Sequence, residues 1–217
     1  MKDENYIQNE IDNCPKFLLE NDSPSLTPDN VYLAEFIFHV LYRKSELGKL
    51  YDSLEKDYRK DNLVKILSVI NSENSTHLLK KDKEAIAEHI IKEYKTFEAF
   101  KNALKHKENE KYTYTLVSSI RSLKSACTGP KTERDNYSFA TKFCHYSCYY
   151  LFKNCAELRD LYPIYDGIIV KYLKDYHNVK EKELSDYISY VNKINEIVKD
   201  KKISKNGFDH LIWLYHR

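Results

Sequence analysis

The sequence predicts an all-α protein, a compact multi-helix fold, and three observations carry that reading. The 217 residues hold only 4 glycines and 5 prolines, too few for an all-β chain that needs a turn about every 8–12 residues. Apolar residues recur at helical spacing along most of the chain. Hydrophobic residues make up 42% and charged residues 31%, the balance of a folded globule and not of a disordered tail. About nine or ten helices are expected, with no convincing strand. The length fits one domain or two small lobes. Residues 1–30 read as an N-terminal extension and 31–217 as one helical domain, with two lobes and a cleft between them as the finer alternative.

The elements follow from local signals. Residues 1–27 are polar, and Ser23 to Asp29 reads as a loop. Thr27 before Pro28 places an N-cap beside a proline at the first helical position. Val31 to Tyr42 is the most apolar stretch and predicts a buried helix, with His39 as a core or boundary histidine. Helices are expected over Glu46 to Lys60 and over Leu63 to Ile70, where Leu63, Ile66, Leu67 and Ile70 share one face. Another runs from Asp82 or Lys83 to Tyr94, and Thr96 caps a helix that ends at Leu104. Tyr112 to Ala126 follows, with Leu116, Ile120 and Leu123 as its stripe.

Cys127 to Tyr137 has the turn chemistry of a loop, beginning with Gly129-Pro130. Ser138 is the expected cap of a helix that reaches about Phe152. Pro163 disfavours helical geometry at Tyr162, so Leu158 to Pro163 reads as a connector. Asp166 then caps a helix from Gly167 to Tyr176. Glu181 to Val198 and Ser204 to Tyr215 complete the set.

Charge and cysteine usage narrow the classes of function. The N-terminus opens polar and acidic with no apolar signal core. No apolar run approaches the roughly 20 residues of a membrane span. Five cysteines, Cys14, Cys127, Cys144, Cys148 and Cys155, form an odd set with no metal-site spacing. A cytoplasmic, monomeric protein with reduced thiols is the expectation, with no metal and no organic cofactor. The net charge is +2, but residues 111–153 hold seven basic and two acidic side chains. Such a window either meets an anionic partner or is a solvated face.

Two short segments carry the chemistry. One is Ser138-Phe139-Ala140-Thr141-Lys142-Phe143-Cys144, and the other is Tyr162-Pro163-Ile164-Tyr165-Asp166-Gly167. Each candidate sits near the start of a helix. A buried amine, or one near another cation, is held more readily in its neutral, nucleophilic form, and can form a Schiff base with a sugar C1′. A nearby carboxylate can stabilise an oxocarbenium-like centre or activate water. A helix N-terminus favours negative charge.

These two segments resemble the helix-hairpin-helix DNA glycosylase superfamily, especially the branch similar to 8-oxoguanine DNA glycosylases. There, a hairpin ends in a lysine that opens a helix, and a Pro-aliphatic stretch leads to an aspartate at the cap of another. The resemblance implies Lys142 as nucleophile and Asp166 as the catalytic carboxylate, with double-stranded DNA as partner. It further implies excision of an oxidised purine or of a modified base in phage DNA, leaving an abasic site, with β-elimination as a further step. Phe208 to Arg217 is similar in character to the aromatic C-terminal helix of bacterial relatives. No glycine stands between Asn136 and Lys142, where the superfamily uses glycines to bring backbone N–H groups to a phosphate. No cysteine pattern resembles the iron–sulfur cluster of some members.

On this reading Tyr137, Tyr146, Tyr165 and Trp213 are candidates for stacking on a flipped base. Arg121, Lys124, Lys131, Arg134 and Thr141 are the candidate DNA contacts. The bland alternatives are a solvated helix lysine for Lys142, a plain N-cap for Asp166 and a core anchor for Trp213. The rival to the enzyme is a non-catalytic helical DNA-binding or protein-interaction module on the same scaffold.

Overall fold

A computed structural model describes residues 17–41, 45–73, 78–123 and 135–216, and the all-α expectation holds for them. Twelve helices and two very short hairpins are found among the described residues. The chain divides into two compact units. The first comprises residues 1–44, 166–185 and 189–217, and the second residues 45–165 and 186–188.

The first unit begins with β1 (Leu19–Glu20) and β2 (Ser23–Pro24), paired antiparallel. Asn21 and Asp22 between them have φ of 51° and 59°, the left-handed pair that a two-residue hairpin turn requires and that Asn and Asp tolerate. Helix α1 (Pro28–Leu41) starts as expected, with the Asn30 N–H donating to Thr27 Oγ1 at 3.2 Å. The Asn30 side chain ties the hairpin to α1 by donating to the carbonyls of Leu18 and Ser25 and accepting from the Leu18 N–H. The unit continues with α9 (Gly167–His177), α10 (Glu181–Leu184), most of α11 (Tyr187–Lys201) and α12 (Lys205–His216). Helix α12 packs on α1, α9 and β2. Gly207 permits the α1 contact, because a Cβ there would lie 2.1 Å from Val31 Cγ1. Ala34, Ile169, Leu173, Phe208 and Leu211 are at the centre of this unit's core.

The second unit contains α2 (Ser45–Lys56), α3 (Lys60–Glu73), α4 (Lys80–Glu93), α5 (Phe97–Leu104), α6 (Thr115–Ser122), α7 (Tyr137–Leu151) and α8 (Ala156–Arg159). Between α5 and α6 lies a hairpin of β3 (Lys107–Glu108) and β4 (Lys111–Tyr112), turning through Asn109 and Glu110 at positive φ. Helix α7 packs against α2, α3, α5, α6 and α8 and is the unit's central helix. Leu47, Leu63, Ile66, Phe100, Leu116 and Phe143 are fully buried in this core.

Several boundaries differ from the sequence reading. Both hairpins were unexpected, since two-residue strands leave no alternation to detect. Tyr112 belongs to β4, and α6 starts only at Thr115. Ser138 does not cap α7. The helix starts at Tyr137, whose N–H donates to Asp135 Oδ1 at 2.9 Å. The expected helix over 181–198 is broken into α10 and α11 around Ser185 and Asp186. Lys124, Lys131, Arg134, Cys14, Cys127, the side chain of His39 and most of the expected loop after Ala126 lie outside the described residues.

Candidate functional site

Helix α7 is buried continuously from Phe139 to Cys148. An α-helix enclosed on all sides is ordinarily apolar all round. This one carries Thr141, Lys142, His145 and Ser147 among its buried residues. Such groups are costly to bury unless they are bonded. Ser147 Oγ shares a hydrogen bond of 2.8 Å with Tyr51 Oη of α2. Among the described residues, Lys142 and Asp209 are the buried ones with formal charge, and Lys142 is 6% exposed.

The same helix holds the extended segment that leads to Asp166. His145 Nδ1 donates to the Tyr162 carbonyl at 2.9 Å. Thr141 Oγ1 accepts the Tyr165 N–H at 3.0 Å and donates to the Ser138 carbonyl at 2.9 Å. Tyr187 Oη donates to the Pro163 carbonyl at 2.8 Å, and Tyr162 Oη to the Leu104 carbonyl at 2.8 Å. Pro163 has no N–H of its own, so these bonds anchor the segment by its carbonyls and by the Tyr165 amide. Thr141 is fully buried, and its hydroxyl serves the backbone of its own unit. A side chain at that depth faces protein, not a DNA phosphate.

Asp166 is the N-cap of α9, with φ of −134° and ψ of 149°, and its Oδ1 accepts the Ile168 N–H at 2.8 Å. This matches the expected cap. Lys142 belongs to the second unit and Asp166 to the first, directly after the chain leaves the second at Tyr165.

Three of the expected contact residues assemble at the start of α7. The Arg121 guanidinium lies 3.9 Å from the Tyr137 ring centroid, and Tyr165 stacks on Tyr137 at 4.0 Å and 26°. Arg121 also pairs with Asp135 through Nε and Nη2, the latter at 2.8 Å. Tyr187 meets the Tyr137 ring edge-on. Burial pushes the Tyr137 phenol well above its usual value, and Arg121 pulls it partly back. Tyr114, at edge-on distance from both Tyr162 and Tyr187, extends this aromatic cluster. Burial raises its phenol to about 12.

The other candidates are dispersed. Tyr146 is buried, edge-on to His145 at 5.1 Å. Trp213 is half-buried on α12, in the first unit. Cys144 and Cys148 are buried and Cys155 half-buried, all as free thiols, and burial pushes the first two thiols up, away from reactivity. No metal-binding group of His, Cys, Asp or Glu occurs among the described residues. Among those residues, no helix is long and apolar enough to cross a membrane.

The sequence reading missed His145, Tyr162 and Tyr187 as anchors. Nothing in local spacing links Tyr187 to a carbonyl 24 residues earlier.

The chain matches a known family model. Residues 34–149 fit the HI_0787_N family model, which is described as an N-terminal domain, and this is just over half of the chain. The chain belongs to the HI_0787_N family. The HI_0787_N match runs from within α1 almost to the end of α7. It therefore includes Arg121, Tyr137, Thr141, Lys142 and Tyr146, while Tyr165, Asp166 and Trp213 lie beyond it. No curated protein and no solved structure matches the chain.

Proposed function

We propose that this protein is a DNA glycosylase in which Lys142 is the nucleophile and Asp166 the carboxylate that stabilises the sugar. The observation that carries the reading is the burial of Lys142, at 6% exposure, in the central helix of its unit. A lysine at that depth is held in one place by the helix around it, and a lysine amine can act as a nucleophile towards a sugar C1′. Two further observations support it. Asp166 is a fixed N-cap, and the segment before it is bonded to the helix that carries Lys142.

In the proposed reaction the Lys142 amine attacks C1′ of a flipped nucleotide. The glycosidic C–N bond breaks, and the base departs with the bonding pair and takes a proton. The Nζ–C1′ bond becomes an imine as the sugar ring opens. Water then releases lysine and leaves an abasic site, or loss of a C2′ proton drives β-elimination of the 3′ phosphate. The Asp166 carboxylate stabilises positive charge on the sugar as the base leaves. Arg121, with Lys124, Lys131 and Arg134, would supply phosphate contacts. The substrate is double-stranded DNA with an oxidised purine or a modified base such as those of phage DNA. The protein acts as a cytoplasmic monomer in repair or in defence against phage, without a metal or organic cofactor.

A second reading, a helical DNA-binding or protein-interaction module without catalysis, has its own observation. The Tyr137 N–H at the start of α7 is already taken by Asp135, and no glycine precedes Lys142 in that turn. Excision assays on a panel of damaged and phage-modified duplexes separate the two. The enzyme reading expects base release that Lys142→Ala abolishes while duplex binding persists. Duplex binding with no base release across the panel would overturn it in favour of the module.

A further inference from the structure

We infer that the outward face of α1 is a docking surface for a protein partner that presents an apolar helix flanked by lysine and arginine. The surface lies wholly within the first unit. The glycosylase reading uses none of its residues, so the two stand or fall separately.

Helix α1 has two apolar faces. Val31 and Ala34 are buried, and α12 packs on this side, with Gly207 against Val31. Asp29, Tyr32, Leu33, Phe36 and Ile37 follow one another at i, i+3, i+4, i+7 and i+8, the spacing of a helix-packing stripe. This second stripe is open. Tyr32 is 73% exposed and Phe36 48%, and Leu33 and Ile37 are half-buried. Single exposed apolar residues are ordinary, whereas a contiguous set marks an interaction surface. Four of the six large apolar side chains exposed among the described residues lie between residues 18 and 36: these two, with Leu18 and Leu19 at the start of the hairpin. Asn30 holds Leu18 at the first turn of α1 by bonding both its N–H and its carbonyl.

Charge selects the occupant. Residues 17–41 contain Glu20, Asp22, Asp29 and Glu35 but no lysine or arginine, in a chain with 35 basic residues. Glu35 accepts a hydrogen bond from Ser204 Oγ at 3.1 Å and keeps its charge. Lys205, which opens the helix packed on α1, donates to Asn195 of α11 at 3.4 Å. Such a face attracts a cationic partner and repels an anionic one, which weighs against a nucleic-acid backbone or an anionic membrane here. A second copy would set acid on acid. Residues 1–16, with four acidic and two basic side chains, carry the wrong sign as well. An amphipathic helix with a leucine-rich side and lysines at its flanks matches both the stripe and the charge.

The probe is a labelled helical peptide of about 18 residues, with leucines at i, i+3, i+4 and i+7 and lysines elsewhere. Fluorescence anisotropy with the full chain should show saturable binding. Replacing both exposed rings, Tyr32→Ser with Phe36→Ser, should weaken it at least about tenfold. Circular dichroism should show the wild-type helix content in this variant, since neither ring belongs to the core. If the double variant fails to fold, Tyr32→Lys, at the more exposed position, takes its place. A peptide with glutamate in place of every lysine should bind about tenfold more weakly than the lysine peptide. Equal binding by wild type and variant, equal binding of the two peptides, or no binding at all overturns the inference. Sedimentation that shows a dimer lost in the variant would give the face to a second copy. Binding to vesicles of phosphatidylcholine and phosphatidylserine that is lost in the variant would give it to a membrane. Either of those results also overturns the inference.

Discussion

Replacing Ser147 by alanine tests whether α7 is a buried helix whose polar groups are matched inward. Ser147 is fully buried and Tyr51 is 1% exposed, with 2.8 Å between their hydroxyl oxygens. Tyr150 stacks on the Tyr51 ring at 5.6 Å and 17°, which restricts the phenol from swinging to a new partner. Ser147→Ala therefore leaves the Tyr51 hydroxyl buried without this bond, at a cost of about 1–3 kcal/mol. For a chain of this size, about 2 kcal/mol lowers the melting temperature by roughly 4–8 °C. Tyr51→Phe leaves the serine hydroxyl, which can turn to a carbonyl of its own helix, so about 1 kcal/mol is expected. The double variant removes both polar atoms and should cost less than the two single changes together, by about 1 kcal/mol. Urea denaturation followed by circular dichroism measures all three. Additivity within about 0.3–0.5 kcal/mol would mean that the hydroxyls are uncoupled. The orientation of α7, and with it the inward placement of Thr141 and His145, would then be wrong.

Three other outcomes follow from the packing and the charges. Gly207→Ala forces a Cβ to within 2.1 Å of Val31 Cγ1, so it should destabilise by about 1–3 kcal/mol; a higher urea midpoint, the gain expected from helix propensity alone, would contradict the close α1–α12 contact. Asp166→Asn keeps a capping oxygen and should leave stability within about 0.5 kcal/mol, whereas Asp166→Ala should cost about 1 kcal/mol; both should lose base excision, and full activity in Asp166→Asn would remove the carboxylate from the mechanism. Stability should fall at alkaline pH, because burial raises the phenols of Tyr51, Tyr162 and Tyr114 above their unfolded values. Protons then leave the unfolded chain first, so this contribution is complete below about pH 10 and is lost as pH rises through the folded values. Tyr114 alone, raised to about 12, accounts for a loss on the order of 1 kcal/mol by about pH 11. Denaturation midpoints that do not move between about pH 9 and 11 would count against the burial of these rings.

Helices with strong caps were legible in the sequence. Thr27, Thr96 and Asp166 each accept a hydrogen bond from the first turn of the helix they were expected to start. Local chemistry decides such positions, so local reading finds them. The start of α7 was misread by two residues because Asp135, not Ser138, takes the first-turn N–H, and both residue types cap well. The hairpins at Asn21-Asp22 and Asn109-Glu110 depend on positive φ at residues other than glycine, a weak signal without longer strands beside it. Within the candidate site, stacking of Tyr137 with Tyr165 was foreseen only as membership of one group. That His145, Thr141 and Tyr187 would converge on residues 162–165 depends on contacts across 17 to 24 residues of sequence. Spacing rules do not reach that far. Thr141, expected at a phosphate, turned inward because α7 is covered on all sides.

The most direct test of the central claim is to trap the protein on a substrate duplex with borohydride and map the linked peptide. Reduction turns the imine into a stable amine bond between enzyme and sugar. The account predicts a single adduct on the peptide containing Lys142, absent from Lys142→Ala. An adduct on another lysine or on the terminal amine, or its persistence in Lys142→Ala, would contradict it.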